Sequence, residues 1–265
     1  MAIYKIENLR GNDFQENLDG LIVTRSSYHP GYNLNWHYHD NPSLTLNLKG
    51  GTIDQRKNEV RTIVAGDLVL HRPEEWHKNS FFAKDSRHFC IEFEPKWFKR
   101  FGIPYSFDSR SFCITDPNLK VKMVAILSEF VNSYETKQLN TEILLLDCIA
   151  NLNGQKISNH APDWIGSLRE LLHDEYNSDL SLTYLSKRIN VHPVTISKYF
   201  TRYFKTTLGD YIRRIRISKS LSYLSNRSIA INTIAIDTGF VDNAHYTRTF
   251  KRYTGLTPSA YRQFL

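Results

Sequence analysis

About the last hundred residues of the chain carry one pattern of apolar residues twice, and this duplication constrains the fold most. The two sets are Leu182, Leu185, Val191, Ile196 and Phe200, and Ile231, Ile234, Phe240, Tyr246 and Phe250. Successive members are 3, 6, 5 and 4 residues apart in the first set and 3, 6, 6 and 4 apart in the second. Each spacing predicts a short helix, a tight turn and a second helix around a small core. Two such units in tandem can place two helices in successive segments of a DNA major groove.

The net charge of the chain is confined to the repeated segment. Residues 163–265 contain 15 Lys and Arg against 8 Asp and Glu, a net of +7, whereas residues 1–162 contain 19 of each. A basic domain beside a neutral one is typical of a protein that binds a polyanion, because cations against phosphates release condensed counterions. The alternative is that the charge only aids solubility. The duplicated helical pattern favours nucleic acid.

Composition favours a cytoplasmic protein that does not enter a membrane. No apolar run approaches the ~20 residues of a membrane span, and residues 1–14 lack the apolar segment of a secretory signal. The three cysteines, Cys90, Cys113 and Cys148, are odd in number and show no CxxC spacing. We therefore expect reduced thiols, without a disulfide or a cysteine-ligated zinc ion.

The order of sequence patterns predicts an α+β fold of two domains. Short alternating runs broken by turn residues from about 20 to 95 indicate an antiparallel barrel or sandwich, and residues 118–152 fit two amphipathic helices. The polar stretch 153–162 contains Gly and Pro and is predicted to be a linker. We therefore expect a ligand-sensing and dimerisation domain at 1–152, and an all-helical domain with two helix-turn-helix units at 163–265.

Capping residues support the helix-turn-helix boundaries. Ser181 and Asp242 stand where an N-cap is expected, and Pro193 stands at the first turn of a helix. A continuous helix over 207–224, eighteen residues at ~1.5 Å each, would separate the two units by about 27 Å. The second helix of each unit turns polar and basic side chains outward, and these suit contact with base edges and phosphates.

The repeated segment resembles the DNA-binding domain of the AraC/XylS family of bacterial transcription regulators. The resemblance is carried by Gly239-Phe240, Tyr246 to Arg252, Gly255 to Pro258, Tyr261-Arg262, and Arg216-Ile217 with Ser220 and Leu224. It covers about a third of the chain. The first unit departs from the family pattern, because Lys205 stands where a helix-ending glycine is usual.

This resemblance implies a set of DNA-contacting residues. Base contacts would come from His192, Val194, Thr195, Lys198, Asn243, His245, Thr247 and Arg248. Phosphate contacts would come from Arg202, Lys251 and Arg252. The implied partner is double-stranded DNA, bound at two adjacent major-groove half-sites.

Residues 31–79 resemble a cupin barrel, a common partner domain in this family. The carriers are Gly31, His37-x-His39, Gly50, Gly66-Asp67, Pro73 and His77-x-Asn79. His37 and His39 lie two apart on a predicted strand and so share one face, and His77 could complete a cluster of the kind that holds Zn, Fe or Mn. Catalytic cupins usually add a carboxylate soon afterwards, whereas Ser43, Leu44 and Thr45 stand there. We therefore favour a metal-free pocket for a small molecule, with no cofactor, and keep a bound metal as the alternative.

Together these features predict a non-enzymatic, sequence-specific transcription regulator controlled by a small-molecule effector. The helices at 118–152 would form a homodimer seam or, equally, cover the barrel, and RNA polymerase is a further candidate partner. The chain contains no GxSxG, phosphate loop or HExxH. The alternative functions are a metal-dependent cupin enzyme with an accessory helical domain and a DNA-binding protein without an effector.

Overall fold

The computed structural model describes residues 12–81, 85–104, 112–132, 135–154 and 162–265. Contacts divide the chain into two compact units, of which the first ends at Thr115 and the second spans Asp116–Phe264. The first unit consists mainly of strands and the second of helices. The predicted α+β class with two domains is confirmed.

The first unit contains two antiparallel sheets. Its elements are β1 (Asn12–Leu18), β2 (Leu21–Tyr28), β3 (Asn33–His37), β4 (Ser43–Lys49), β5 (Gly51–Arg56), β6 (Val60–Val64), β7 (Leu68–His71), β8 (His77–Phe81), β9 (Ser86–Phe93), α1 (Pro95–Arg100) and β10 (Phe112–Ile114). The six-stranded sheet has the order β1-β2-β9-β4-β7-β10, and the four-stranded sheet has the order β3-β8-β5-β6. The sheets are not closed into one barrel, but the double-sheet arrangement agrees with the cupin-like prediction.

The second unit consists of nine described helices. They are α2 (Pro117–Asn132), α3 (Lys137–Gly154), α4 (Trp164–Asp174), α5 (Leu182–Ile189), α6 (Pro193–Phe204), α7 (Leu208–Leu224), α8 (Ile231–Asp237), α9 (Asn243–Thr254) and α10 (Pro258–Phe264). The pairs α5–α6 and α8–α9 are the two helix-turn-helix units, and α7 joins them. A cluster of buried residues from α4 to α7, including Leu185, Ile196 and Phe200, forms the core of the first unit of the pair.

The helices α2 and α3 belong to the helical unit, although we expected them to accompany the strands. The α2 helix packs on α7 and α9, and an ion pair between Lys122 and Asp147 joins it to α3. Amphipathic periodicity shows which face of a helix is buried but not which element covers that face. The contact boundary therefore falls before this helical pair. The predicted linker lies mostly at 155–161, outside the described residues, and stays a prediction.

Candidate nucleic-acid interface and ligand cavity

Local hydrogen bonds define the first helix-turn-helix unit. The Ser181 hydroxyl accepts a hydrogen bond from the backbone N–H of Tyr184 at 3.2 Å and so caps α5. Asn190 ends α5 in the left-handed conformation, with φ of 53°. His192 is the N-cap of α6, where its Nδ1 accepts from the backbone N–H of Val194 at 3.3 Å. Pro193 then occupies the first turn, where its missing N–H costs nothing.

The α6 helix has one buried face and one exposed polar face. Ile196, Phe200 and Phe204 are buried. Of the predicted DNA-contacting residues, His192, Val194, Lys198 and Arg202 are exposed, and Thr195 is half-buried. The exposed fraction of Val194 is 64%, which is unusual for a valine and suits contact with a thymine methyl group.

Lys205 ends α6 in the left-handed conformation that the family usually gives to glycine. Its φ is 57°, and its backbone N–H donates to the Thr201 carbonyl at 3.0 Å. The helix therefore ends at the position that the family pattern implies, with a lysine in a conformation that costs a residue with a Cβ atom about 1–2 kcal/mol.

The second helix-turn-helix unit has the same design with different residues. The Asp242 carboxylate accepts from the backbone N–H of His245 at 2.6 Å and caps α9. Tyr246 and Phe250 are buried on one face of α9. On the other face Asn243, Arg248, Lys251 and Arg252 are exposed, whereas His245 and Thr247 are half-buried.

Two residues of the α9 face are held by neighbours. The His245 ring meets Phe240 edge-on, with ring centroids 5.3 Å apart. The Thr247 hydroxyl donates to Oδ1 of Asn243 at 3.4 Å. Asn243, at the start of the helix, is therefore oriented by its neighbour one turn later.

Arg216 of α7 connects the two helix-turn-helix units, a role that its position in the sequence does not predict. Its Nε donates to the Tyr176 carbonyl at 2.8 Å and its Nη2 to the Ser178 carbonyl at 3.0 Å, both just before α5. Its Nη1 donates to the Gly239 carbonyl at 2.6 Å, in the turn of the second unit. Burial lowers the pKa of this guanidinium, which stays charged because arginine is not deprotonated in proteins. In the sequence, Arg216 was marked only by its charge in the middle of a spacer helix and by its place in the family pattern.

The strand-rich unit contains a cavity of about 340 Å³, and the three predicted ligand-binding histidines line it. His37 and His77 are paired across β3 and β8, with ring centroids 4.2 Å apart. His39 lies two residues beyond the end of β3 rather than on the strand, which corrects the prediction, yet its ring centroid is 5.2 Å from that of His37. Strand alternation was the wrong reason for a correct proximity.

The cavity also contains His71 and His88, which no sequence motif predicted. The His71 ring centroid is 5.4 Å from that of His77. Burial lowers the pKa of all five of these cavity histidines, to about 4 for His39 and His88. All five rings are therefore neutral at neutral pH.

A buried ion network lies beside the histidines. Arg56 pairs with Asp54 at 2.9 Å and with Glu75 at 2.8 Å, and its Nη2 contacts Nδ1 of His71 at 3.3 Å. Burial raises the pKa of Asp54, while the Arg56 charge opposes that rise. One cation thus faces two carboxyl groups, so the network adds no uncompensated positive charge near the cavity.

Aromatic and amide side chains line the rest of the cavity. The rings of Tyr28 and Phe81 are stacked with centroids 4.0 Å apart, and the His88 ring lies 5.2 Å from Tyr28. Asn47 and Asn79 also line the cavity and are buried. Flat apolar faces together with amides suit a small ligand that has both apolar surface and hydrogen-bonding groups.

The helical unit matches a known domain family, and most of the chain is similar to known transcription regulators. A helix-turn-helix domain family matches residues 185–263, a range that includes α6, α7, α8 and α9. The Msm operon regulatory protein of Streptococcus mutans is 26% identical over 224 residues, which cover 83% of this chain and 77% of that protein. The transcriptional activator RhaR of Mannheimia succiniciproducens is 24% identical over 258 residues, 91% of each chain. The arabinose operon regulatory protein of Escherichia coli is 22% identical over 233 residues, 83% of this chain and 79% of that protein.

The chain belongs to the AraC family of transcription regulators. Its helical unit carries the family's two helix-turn-helix units, and the alignments with relatives extend over the strand-rich unit as well. This AraC-family regulator is a DNA-binding protein, and these relatives are named as regulators rather than enzymes.

No helix in the described parts of this AraC-family regulator is long and apolar enough to cross a membrane. The eleven predicted DNA-contacting residues all lie on α6, on α9 or at the N-cap of α6. Eight of them are exposed and three are half-buried. Their contacts with DNA stay predictions.

Proposed function

We propose that this AraC-family regulator binds two adjacent major-groove segments with α6 and α9. A small molecule in the cavity of the strand-rich unit would control this binding. The observation that carries the proposal is the pair of exposed polar faces on α6 and α9, joined by α7 and by the Arg216 hydrogen bonds. The 17 residues of α7 span about 26 Å, which together with the flanking units suits successive grooves on one side of the duplex.

The proposed base-contacting residues differ in what they can recognise. Arg248 has the fork geometry that binds a guanine edge at two points, and Asn243 suits adenine. Val194 suits a thymine methyl group, and Lys198 suits guanine. His192, Thr195, His245 and Thr247 complete this set, while Arg202, Lys251 and Arg252 contact phosphates and set the register.

The proposed effector is a small molecule with hydrogen-bonding groups and an apolar face. Support comes from the cavity volume of about 340 Å³, which lies within the range of ligand sites, and from its mixed lining. An effector that binds more tightly to one arrangement of the protein would shift the population toward it and so change DNA binding.

A homodimer is also proposed, through α3. Leu139 and Ile143 lie one turn apart on this helix and have exposed fractions of 58% and 56%. A second copy that covered this pair would bury apolar surface. RNA polymerase as a further partner and a cytoplasmic location complete the proposal.

Selection of bound duplexes from a random pool tests the proposed function of the full chain. We expect two short half-sites whose centres lie about 10 bp apart. The double variant Lys198→Ala/Arg248→Ala should lose sequence preference, whereas the matched pair Lys187→Ala/Arg227→Ala, outside α6 and α9, should keep the selected motif. A wild-type protein that enriches no motif at physiological salt would refute the proposal.

A further inference from the structure

Three histidines of the cavity converge closely enough to share one metal ion. One ring nitrogen from each of His37, His39 and His77 lies within 4.8 Å of the other two. Nitrogen ligands lie about 2.0–2.1 Å from a tetrahedral zinc ion, which puts neighbouring ligand atoms roughly 3.4 Å apart. The three nitrogens would therefore have to approach one another by at most about 1.4 Å to share one ion.

Backbone hydrogen bonds orient two of the three rings for metal binding. Nδ1 of His37 lies 2.7 Å from the Asn35 carbonyl, and Nδ1 of His77 lies 2.9 Å from the Glu75 carbonyl. A carbonyl oxygen only accepts, so each Nδ1 carries the proton and each Nε2 keeps its lone pair. The same second hydrogen bond sets the tautomer and ring orientation of histidine ligands in metal sites.

The neighbouring histidine His71 is held in the opposite tautomer. Its Nδ1 lies 3.3 Å from Nη2 of Arg56, and a guanidinium only donates. Nδ1 of His71 is therefore the acceptor, and the ring proton of this neutral histidine lies on Nε2. His71 thus presents an N–H donor rather than a lone pair, which distinguishes it from the three convergent histidines.

Charge around the cluster is compatible with a divalent cation. Arg56, which contacts His71 of the same cavity, is paired with both Asp54 and Glu75, so its charge is compensated. A neutral imidazole is the form of histidine that binds metals. Nitrogen ligands favour transition metals such as zinc over magnesium or calcium.

We propose that His37, His39 and His77 bind one Zn²⁺ ion at the wall of the cavity. Three protein ligands leave a fourth coordination position, which would take water or an oxygen atom of a small molecule in the cavity. The sequence favoured a metal-free pocket because no acid stands at 43–45, but a three-histidine zinc site requires no carboxylate. Zinc binding at this cluster does not depend on DNA binding.

The test uses the purified full chain, first stripped of metal with a chelator. Titration with Zn²⁺ against a chromophoric competitor should show one equivalent bound per chain, and Co²⁺ should give the visible absorption of a four-coordinate site. His37→Gln, His39→Gln and His77→Gln should each weaken zinc binding by roughly 100-fold. His88→Gln, in the same cavity but outside the cluster, should leave the affinity within about 3-fold of wild type.

X-ray absorption at the zinc edge of the wild-type protein is a second measurement that needs no variant. We expect a first shell with three imidazole nitrogens and one further light atom. A shell with sulfur, binding below stoichiometry, or zinc affinity that survives all three substitutions would overturn the proposal. An equal loss in His88→Gln would also overturn it, because the effect would then come from general damage to the cavity.

Discussion

Gly255, which ends α9, lies directly against Ser128 of α2. A Cβ atom built on Gly255 would be 2.5 Å from Oγ and 3.2 Å from Cβ of Ser128. The backbone of Gly255 is also left-handed, with φ of 76°. Two independent constraints, the close contact and the backbone conformation, therefore disfavour a side chain at the point where the end of α9 meets α2.

Replacement of Gly255 by Ala should lower the free energy of unfolding by about 2 kcal/mol. Left-handed strain contributes about 1 kcal/mol, and displacement of Ser128 contributes the rest. The measurement is urea unfolding of the full chain, followed by helical circular dichroism. Gly166→Ala is the control, because a Cβ at this position in α4 meets nothing within 4 Å, so stability should rise by roughly 0.5–1 kcal/mol. Equal effects at both positions would contradict the described contact.

Replacement of Lys205 by Gly should raise the free energy of unfolding, whereas Gly255→Ala lowers it. This residue adopts φ of 57° at the end of α6, so glycine removes backbone strain worth about 1 kcal/mol. Lys198→Gly, inside the same helix, should instead cost roughly 0.8 kcal/mol. Thermal and urea unfolding of both variants provide the comparison. A destabilised Lys205→Gly protein would show that the lysine side chain contributes more than its conformation costs.

Replacement of Arg216 by Lys should loosen the tie between the two helix-turn-helix units. Lysine keeps the charge but cannot bind three diverging carbonyls, so we expect a loss of about 2 kcal/mol in stability. Affinity for paired half-sites should fall, and the preference for one spacing should broaden, as measured on duplexes with spacers altered by 1–2 bp. Arg227→Lys makes the same change at an exposed residue and should have no effect. An unchanged spacing preference in Arg216→Lys would remove this residue from the positioning of α6 and α9.

Arg248 and Lys251 should differ in how they affect DNA binding. Arg248→Ala should cost roughly 1–3 kcal/mol at one base position and relax the preference there. Lys251→Ala should weaken binding about equally on all duplexes and reduce the salt slope by about 1. Competition assays on single-base variants of the selected site, repeated at several salt concentrations, distinguish the two. A uniform loss in Arg248→Ala would assign this residue to the backbone.

His173 should make the protein less stable in acid. Burial lowers its pKa to about 4, assisted by the charges of Lys219 and Arg169, and its Nε2 lies 3.2 Å from the Tyr211 hydroxyl. The unfolded chain protonates this histidine below about 6.5, and the folded chain does so only near 4. The contribution of His173 to the free energy of unfolding is therefore complete above pH 6.5 and declines as the pH falls from 6.5 to 4.

The His173→Gln variant isolates this contribution. The difference in unfolding free energy between pH 7.5 and pH 5 should be smaller in the variant than in the wild type. His29→Gln, at an exposed position, should keep the wild-type difference. If His173→Gln showed the full acid sensitivity, other buried histidines would account for it.

Local interactions explain why so much of the helical unit could be predicted from sequence. The N-caps at Ser181, Asp242 and Thr257 involve backbone N–H groups only three residues away. Apolar periodicity likewise depends on neighbours within two turns. The ends of α6 and α9 were therefore predictable, including Lys205 at the end of α6, where the family pattern supplied the position.

The cavity shows where prediction from sequence stopped. His37 and His77 were joined correctly because of the family resemblance, but His39 was placed on a strand that ends before it. His71 ends β7 and His77 begins β8, and their ring centroids are 5.4 Å apart although the two strands belong to different sheets. No spacing along the chain encodes that distance.

The sequence alone determined the two helix-turn-helix units, their basic faces and the strand-rich character of the first unit, because these follow from contacts between residues a few positions apart. Only the tertiary structure decided three other features: the packing of α2 on α9 at Ser128, the reach of Arg216 to carbonyls 40 and 23 residues away, and the tautomers of the cavity histidines. Each of these features depends on which buried surfaces and polar atoms come into contact once the chain is packed. Other sequences with the same local pattern could form different tertiary contacts.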